Sequence, residues 1–193
     1  MADLQIALSD LFRNEGQWGL TPGDHGGETF KGISRNIFPQ WPGWKKIDMA
    51  KASIGRPPRF GSREYFQWVH TLDRRLAPDT ELPNMVADFY RQKFWVPAFD
   101  QIKSQQVVNL IFGWNVNCGP GWGVKWLQKA LGVPADGKIG TETLEAIETR
   151  TADNAGELNL ITSMRGEAKQ HYLAIVAKDP TQQKFLKGWL SRV

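Results

Sequence analysis

Two acids and a hydroxyl stand in order within NEGQWGLTPGDHGGETFKGIS, residues 14–34: Glu15, then Asp24 after eight intervening residues, then Thr29 after four more. Hydrolysis of a glycosidic bond calls for this set of groups. A protonated acid gives its proton to the leaving oxygen, and a second carboxylate stabilises the oxocarbenium-like sugar or activates water. The acid has to sit in a partly apolar pocket, where desolvation keeps it protonated near neutral pH. Glu15 ends an apolar run and is followed by Trp18, which suits that requirement. The plainer reading is that Asp satisfies the backbone of a turn and Glu is a solvated surface residue. Spacing alone leaves both readings open.

Rival chemistries find less support. His25, His70 and His171 are scattered without metal-ligand spacing, so neither a metal nor a cofactor is expected. A proton-shuttling His25 is a weaker rival to a surface histidine in a turn. No G-x-S-x-G elbow and no phosphate-cradling G-x-x-x-x-G-K-[ST] occurs.

The elements that must position these groups are mostly helical. In DLQIALSDLFRNE, Leu4, Leu8, Leu11, Phe12 and Glu15 recur at intervals of three and four and share one face, and Gly16 supplies a stop. Glu15 is thereby expected at the C-terminal end of the first helix, where the helix dipole and partial burial both favour its protonated form. Gly26-Gly27 reads as a tight hairpin turn with ETFKGI returning, which would bring Asp24 and Thr29 from two arms towards Glu15. The proline-punctuated segment RNIFPQWPGWKKIDMAKASIGRPPRFG reads as short helices and irregular loops. Helices are then predicted at SREYFQWVHTLDRRL with Ser62 as N-cap, at PNMVADFYRQKFW, and at SQQVVNLIFGWNV with Ser104 as cap. WGVKWLQKALG closing on Gly132, TETLEAIETR, a long helix over about Glu157–Ala177 and a short one at FLKGWL complete the chain. The expected fold is mainly α, a helical bundle with one small β-hairpin near the active-site cleft.

The chain of 193 residues carries 41% hydrophobic and 23% charged residues, with nine tryptophans, as a globular chain with a real core does. A net charge of +4 without a run of basic residues argues against nucleic acid and fits a partner of diffuse negative charge, such as a bacterial wall. The single Cys118 forms no internal disulfide. No stretch approaches 18 apolar residues, so no membrane span is expected, nor stable membrane association. The N-terminus has no signal-peptide pattern, which predicts synthesis in a cytoplasm and release by other means.

The run EGQWGLTPGDHGGETFKGIS resembles the signature of glycoside hydrolase family 108, the N-acetylmuramidases: E-G-G at the end of the first helix, then D-x-G-G-x-T-x-x-G-I. The matching positions are Glu15-Gly16, Asp24, Gly26, Gly27, Thr29, Gly32 and Ile33. Gln17 stands where the family has its second glycine. The order Glu, Asp, Thr is also similar to the catalytic triad of phage lysozymes of the T4 type, which implies a lysozyme-like bundle. YRQKFWVPAFDQI resembles the family's mid-chain helix end. WNVNCGPGWGVKWLQKALGVPADGKIGTETLEAI is similar to the peptidoglycan-binding region that accompanies the catalytic part, and ADGKIGTETLEAI echoes the D-G-x-x-G-x-x-T motif of wall-binding modules. In that region Trp122, Trp126 and Leu127 read as core, and Asp136, Gly137 and Gly140 as a turn.

The resemblance implies a muramidase region at 1–100 and a helical peptidoglycan-binding-like region at 101–193 packed onto it. It implies an endolysin-type enzyme that cleaves the β-1,4 bond between N-acetylmuramic acid and N-acetylglucosamine. Glu15 would be the general acid, Asp24 the second carboxylate and Thr29 a water-orienting hydroxyl, with inversion by analogy to the phage enzymes. Tyr90, Trp95 and Asn117 are candidates for lining the glycan cleft. Peptidoglycan is the expected partner and the expected state is monomeric. The setting would be a host cytoplasm, with access to the periplasmic wall after release by a holin or by export. Two alternatives stand beside this reading: a lytic transglycosylase using Glu15 alone, and a non-catalytic wall-binding module.

Overall fold

The computed structural model describes residues 1–13, 17–21 and 26–193. The fold is mainly α, with nine α-helices and one small three-stranded antiparallel sheet among the described residues. The chain divides into two compact units, residues 8–93 and residues 1–7 with 94–193. Helix α1 (Leu4–Leu11) is shared between them. The expected position of Glu15 at its end lies outside the described residues, as does Asp24.

In the unit of residues 8–93 the sheet runs in chain order: β1 (Trp18–Leu20), β2 (Glu28–Phe30) and β3 (Ile33–Ser34). Trp18 pairs with Phe30, Gly19 with Thr29 and Leu20 with Glu28, while Thr29 also pairs with Ser34 and Phe30 with Ile33. The sequence reading anticipated one hairpin closing at Gly26-Gly27. The structure places a second, tighter turn at Lys31-Gly32, whose φ values are +48° and +75°. Two residues at positive φ give an antiparallel connection the twist its strands require. Lys31 is the non-glycine in this pair, and its backbone is fixed at both ends. Its N–H donates to the Gln17 carbonyl at 2.6 Å, and its carbonyl accepts from the Tyr90 hydroxyl at 2.7 Å. Lys-Gly is a weaker turn signal than Gly-Gly, so the sequence does not mark the third strand.

Three helices support this sheet: α2 (Gly43–Ile54), α3 (Arg63–Leu76) and α4 (Leu82–Phe94). The proline-rich segment forms a regular helix of 12 residues instead of short pieces. Pro42 stands just before its first residue, where a missing N–H breaks no helical bond, and Gly55 closes it at φ +83°. Ser62 caps α3 as expected, accepting from the Tyr65 N–H at 3.1 Å. Trp18, Trp44, Ile47, Trp68, Leu72 and Phe89 form the core. Each large indole there brings its polar end to an acceptor: Trp44 to the Phe38 carbonyl at 2.8 Å, and Trp68 to the Gly55 carbonyl at 2.9 Å.

The second unit contains α5 (Gln105–Cys118), α6 (Trp122–Leu131), α7 (Thr141–Arg150), α8 (Asn154–Lys178) and α9 (Gln183–Leu190). The caps read from the sequence hold: Ser104 accepts from the Val107 N–H, and Gly132 ends α6 in the left-handed region at φ +77°. Helices α5, α6 and α8 pack together around Ile111, Trp114, Trp126, Leu127, Leu160 and Met164. Two buried amides set the turns. Asn115 Oδ1 accepts from the N–H groups of Gly121 and Gly123, both at 3.1 Å, and so orients the start of α6. Gln128 accepts from the Gly137 N–H at 2.8 Å and donates to Asp136 Oδ1 at 2.8 Å and the Lys138 carbonyl at 2.9 Å. Residues 136–140 of the D-G-x-x-G-x-x-T stretch are therefore a turn pinned to α6 from inside, in agreement with the reading of Asp136, Gly137 and Gly140 as a turn, while its closing Thr143 lies in α7.

At the α5–α6 crossing a Cβ on Gly123 would lie 2.3 Å from the Ile111 carbonyl oxygen and 2.8 Å from its Cα. Backbone cannot give way as a side chain can. Gly123→Ala is expected to destabilise this unit by roughly 1–3 kcal/mol through overpacking. Thermal unfolding checks it; an unchanged midpoint would mean that the helices separate at little cost.

Candidate functional site

Thr29 is the member of the sequence-predicted catalytic set that lies among the described residues. It occupies the central strand β2, flanked by Gly19 on one side and Ser34 on the other. Alternation along the strand sends Glu28 and Phe30 to one face and Thr29 to the other. Phe30 is buried and stacks on Trp41 with ring centroids 6.1 Å apart. Thr29 is half-buried, and its hydroxyl is 3.5 Å from the Gly19 carbonyl, at the long limit of a hydrogen bond. That hydroxyl is weakly committed among the described residues, which leaves its donor and acceptor capacity for another group.

Gly19 keeps the space beside it open. A Cβ there would come within 3.2 Å of Thr29 Oγ1. Gly19→Ala is expected to turn the hydroxyl from its place, lowering kcat roughly tenfold while the unfolding midpoint moves little. Steady-state rates on purified cell-wall sacculi check this, and full activity of Gly19→Ala would remove Thr29 from the catalytic groups.

The opposite face of β2 is tied down by charge. Glu28 Oε1 accepts from Trp18 Nε1 at 2.6 Å and from Lys51 Nζ at 2.7 Å, while its Oε2 lies 2.8 Å from Arg35 Nε. Arg35 also grips Asp48 with two bonds, at 2.7 and 3.0 Å, and its guanidinium carbon sits 4.3 Å from the centre of the Trp44 ring. Burial works against the Arg35 charge, but Asp48 and Glu28 outweigh it and raise its pKa. Two acids and two cations close into a neutral network that fastens the sheet to α2. The sequence reading assigned Glu28 no role. Its hint was the alternation that puts Glu28 on the same face as buried Phe30.

A second carboxyl stands apart. Asp73 on α3 is half-buried, and its Oδ1 has no hydrogen-bond partner among the described residues. Burial pushes its pKa up, opposed by the charges of His70 and Lys31.

The three candidate cleft residues fall in different places. Tyr90 is 1% exposed, packs edge-on against Phe12 at 5.4 Å, and holds the Lys31-Gly32 turn through its hydroxyl. It lies in the unit of Thr29 and acts on the same sheet. Trp95 and Asn117 belong to the other unit. Trp95 is buried and donates to Asp100 Oδ1 at 2.9 Å, whereas Asn117 is exposed on α5 with its amide donating to the Gly113 carbonyl at 2.9 Å. Among the described residues no cluster of three metal-ligating side chains occurs, and no helix is long and apolar enough to cross a membrane.

The family described as Glycosyl hydrolase 108 matches residues 8–119, more than half of the chain, and this span contains the sheet, its helical supports and the whole of residues 14–34. The chain belongs to glycosyl hydrolase family 108. Residues 122–193 of this family-108 chain match a Predicted Peptidoglycan domain. Among solved structures, SagA of Brucella abortus is similar over 98% of this chain and 88% of its own, at 25% identity and a TM-score of 0.58. No curated protein matches. The family-108 chain is a glycoside hydrolase that acts on peptidoglycan. The two matched segments meet at residues 119–122, the GPGW turn that Asn115 organises.

Proposed function

We propose that this hydrolase is an N-acetylmuramidase that cleaves the β-1,4 bond between N-acetylmuramic acid and N-acetylglucosamine. Glu15 is the general acid, Asp24 the second carboxylate, and Thr29 the hydroxyl that orients the attacking water. The observation that carries this reading is the family match across residues 8–119, which contains Glu15, Asp24 and Thr29 in the order that glycoside hydrolysis can use. The weakly committed Thr29 hydroxyl supports hydrolysis over the transglycosylase alternative, because a transglycosylase closes the sugar on its own hydroxyl and has no attacking water to orient. Glu28 does not compete for the acid's role in this reading, since Lys51, Arg35 and Trp18 occupy its oxygens.

Digestion of purified sacculi, followed by mass spectrometry of the soluble fragments, tests the reaction. Reducing N-acetylmuramic acid ends are expected. Ends lighter by one water, the 1,6-anhydro form, would replace the muramidase reading with the transglycosylase one, and reducing N-acetylglucosamine ends would assign cleavage to the other glycosidic bond. Inversion is expected at the anomeric carbon. Proton NMR of the first product formed reads this directly, and retention would give Asp24 the part of a nucleophile instead.

A further inference from the structure

Between α2 and α3 the chain reads GRPPRFGSR over residues 55–63, with three arginines, one phenylalanine and no acid; Glu64 follows at the start of α3. Arg56, Arg59 and Arg63 are exposed, and none of them is ion-paired with another described residue. The loop is stiff. Pro57 and Pro58 restrict it, the Ser62 N–H donates to the Arg59 carbonyl at 3.1 Å, and Trp68 Nε1 holds the Gly55 carbonyl at 2.9 Å. Three exposed cations therefore stand on one short, restrained segment without an ion-pair partner among the described residues.

Beside them two large apolar rings face water. Phe60 is 47% exposed and Phe66 62%. Both pack edge-on against Tyr65, at 5.1 and 5.6 Å between ring centres. Tyr65 then reaches inward, and its hydroxyl donates to the carbonyl of Leu20 at 3.2 Å. Leu20 ends β1 opposite Glu28, one pair from Gly19 and Thr29. One side chain thus joins the aromatic and cationic surface to β1, the strand paired with the one that carries the candidate hydroxyl.

Aromatic rings accept the C–H faces of sugars, and guanidinium groups accept carboxylates in a planar, two-bond fit. Peptidoglycan presents both at once, a glycan backbone and carboxylates on its stem peptides. We propose that Arg56, Arg59 and Arg63, with Phe60 and Phe66, form a docking site for the stem-peptide carboxylates of the strand being cut. The proposal rests on residues 14–34 being the cleavage site, because Tyr65 links the patch to that sheet. Its occupant follows from charge complementarity and from this continuity with β1. The site biases the enzyme towards peptide-bearing glycan and leaves the chemical step to the sheet.

The test uses the full chain carrying Arg56→Gln, Arg59→Gln and Arg63→Gln together, and a second triple variant with lysines. Binding to insoluble sacculi is read by co-sedimentation in a Glu15→Gln background, and kcat and KM in the unmodified background. The glutamine triple variant is expected to bind roughly tenfold more weakly at low salt, as three partly screened ion pairs would give. KM rises by a similar factor, and kcat stays within about twofold. The lysine variant recovers most of the binding. Sacculi whose carboxyls have been converted to methylamides bind the parent and the glutamine variant equally, and added salt narrows the difference on native sacculi.

Equal binding of both proteins to native sacculi overturns the proposal, as does discrimination that survives amidation. Arginine-dependent binding to vesicles of an anionic phospholipid, without the same effect on sacculi, also overturns it and names a lipid surface instead. The two readings fail separately. Arginine-dependent binding by a chain that releases no reducing ends upholds the docking site and sinks the cleavage assignment, and normal cleavage with arginine-independent binding does the reverse.

Discussion

Glu15→Gln is expected to lower kcat on purified sacculi by about 10³-fold, within the range that general acid catalysis supplies, while binding to the same sacculi is retained. Glutamine preserves the size and polarity of the side chain but has no proton to give a departing sugar oxygen. The loss therefore belongs to the reaction and not to recognition. Asp24→Asn separates the two carboxyl roles. If Asp24 activates water or supports the oxocarbenium-like sugar, its amide costs a comparable factor, whereas a turn residue loses only stability. Thr29→Ser keeps the hydroxyl and is expected to stay within a few-fold of the parent, while Thr29→Val is expected to lose more. A Glu15→Gln protein that clears a wall suspension as fast as the parent would sink the acid assignment and leave a wall-binding module. Asp24→Asn at full rate would return Asp24 to the turn.

The helical frame was legible because its signals are local. Ser62 and Ser104 cap, Gly132 closes, and apolar residues recur at helical spacing, so α3, α5 and α6 lie where the periodicity put them. Helix α8 begins three residues earlier than read, because Asp153 caps it by accepting from the Gly156 N–H. What could not be read is what depends on distant partners. Lys31 adopts a left-handed turn that its side chain disfavours, held by Tyr90 from 59 residues away. Pro42 looked like a break and begins a helix, because its missing N–H falls at a place where none is needed. At the site, the type and order of Glu15, Asp24 and Thr29 leave a catalytic and a turn reading open, and the family match covers the same span. The neutral network behind Thr29 was hidden, because nothing in the spacing of Glu28, Arg35, Asp48 and Lys51 says that they meet. Tyr90, a candidate for lining the cleft, holds the turn next to Thr29 through a contact that its place in the sequence does not announce.

The second large effect falls on Glu28. Its side chain is 11% exposed and neutralises Lys51 and Arg35 together, each about a quarter exposed. Glu28→Gln keeps the shape but leaves two cations facing one remaining carboxylate, Asp48, which lies 3.9 Å from Lys51 and is half in solvent. Breaking a fully buried pair costs about 3–5 kcal/mol, and an exposed one about 1 or less. Partial access to water places Glu28→Gln at about 2 kcal/mol, a fall of roughly 4–8 °C in unfolding midpoint for a chain of this size. Lys51→Met alone is expected to cost less, since Arg35 and Trp18 still hold the carboxylate. In the double variant the net charge of the network returns to balance, so the two costs should not add; a coupling of about 1 kcal/mol is expected from the cycle. Activity distinguishes this from a direct part in the reaction. If Glu28 only fastens β2, kcat recovers in the double variant as stability does. If kcat of Glu28→Gln falls about 10³-fold with the midpoint unchanged, Glu28 acts on the substrate itself and the division of labour across the two faces of β2 is wrong. The strand would then carry its chemistry on the face of Phe30, and Thr29 would be the residue that merely holds the sheet.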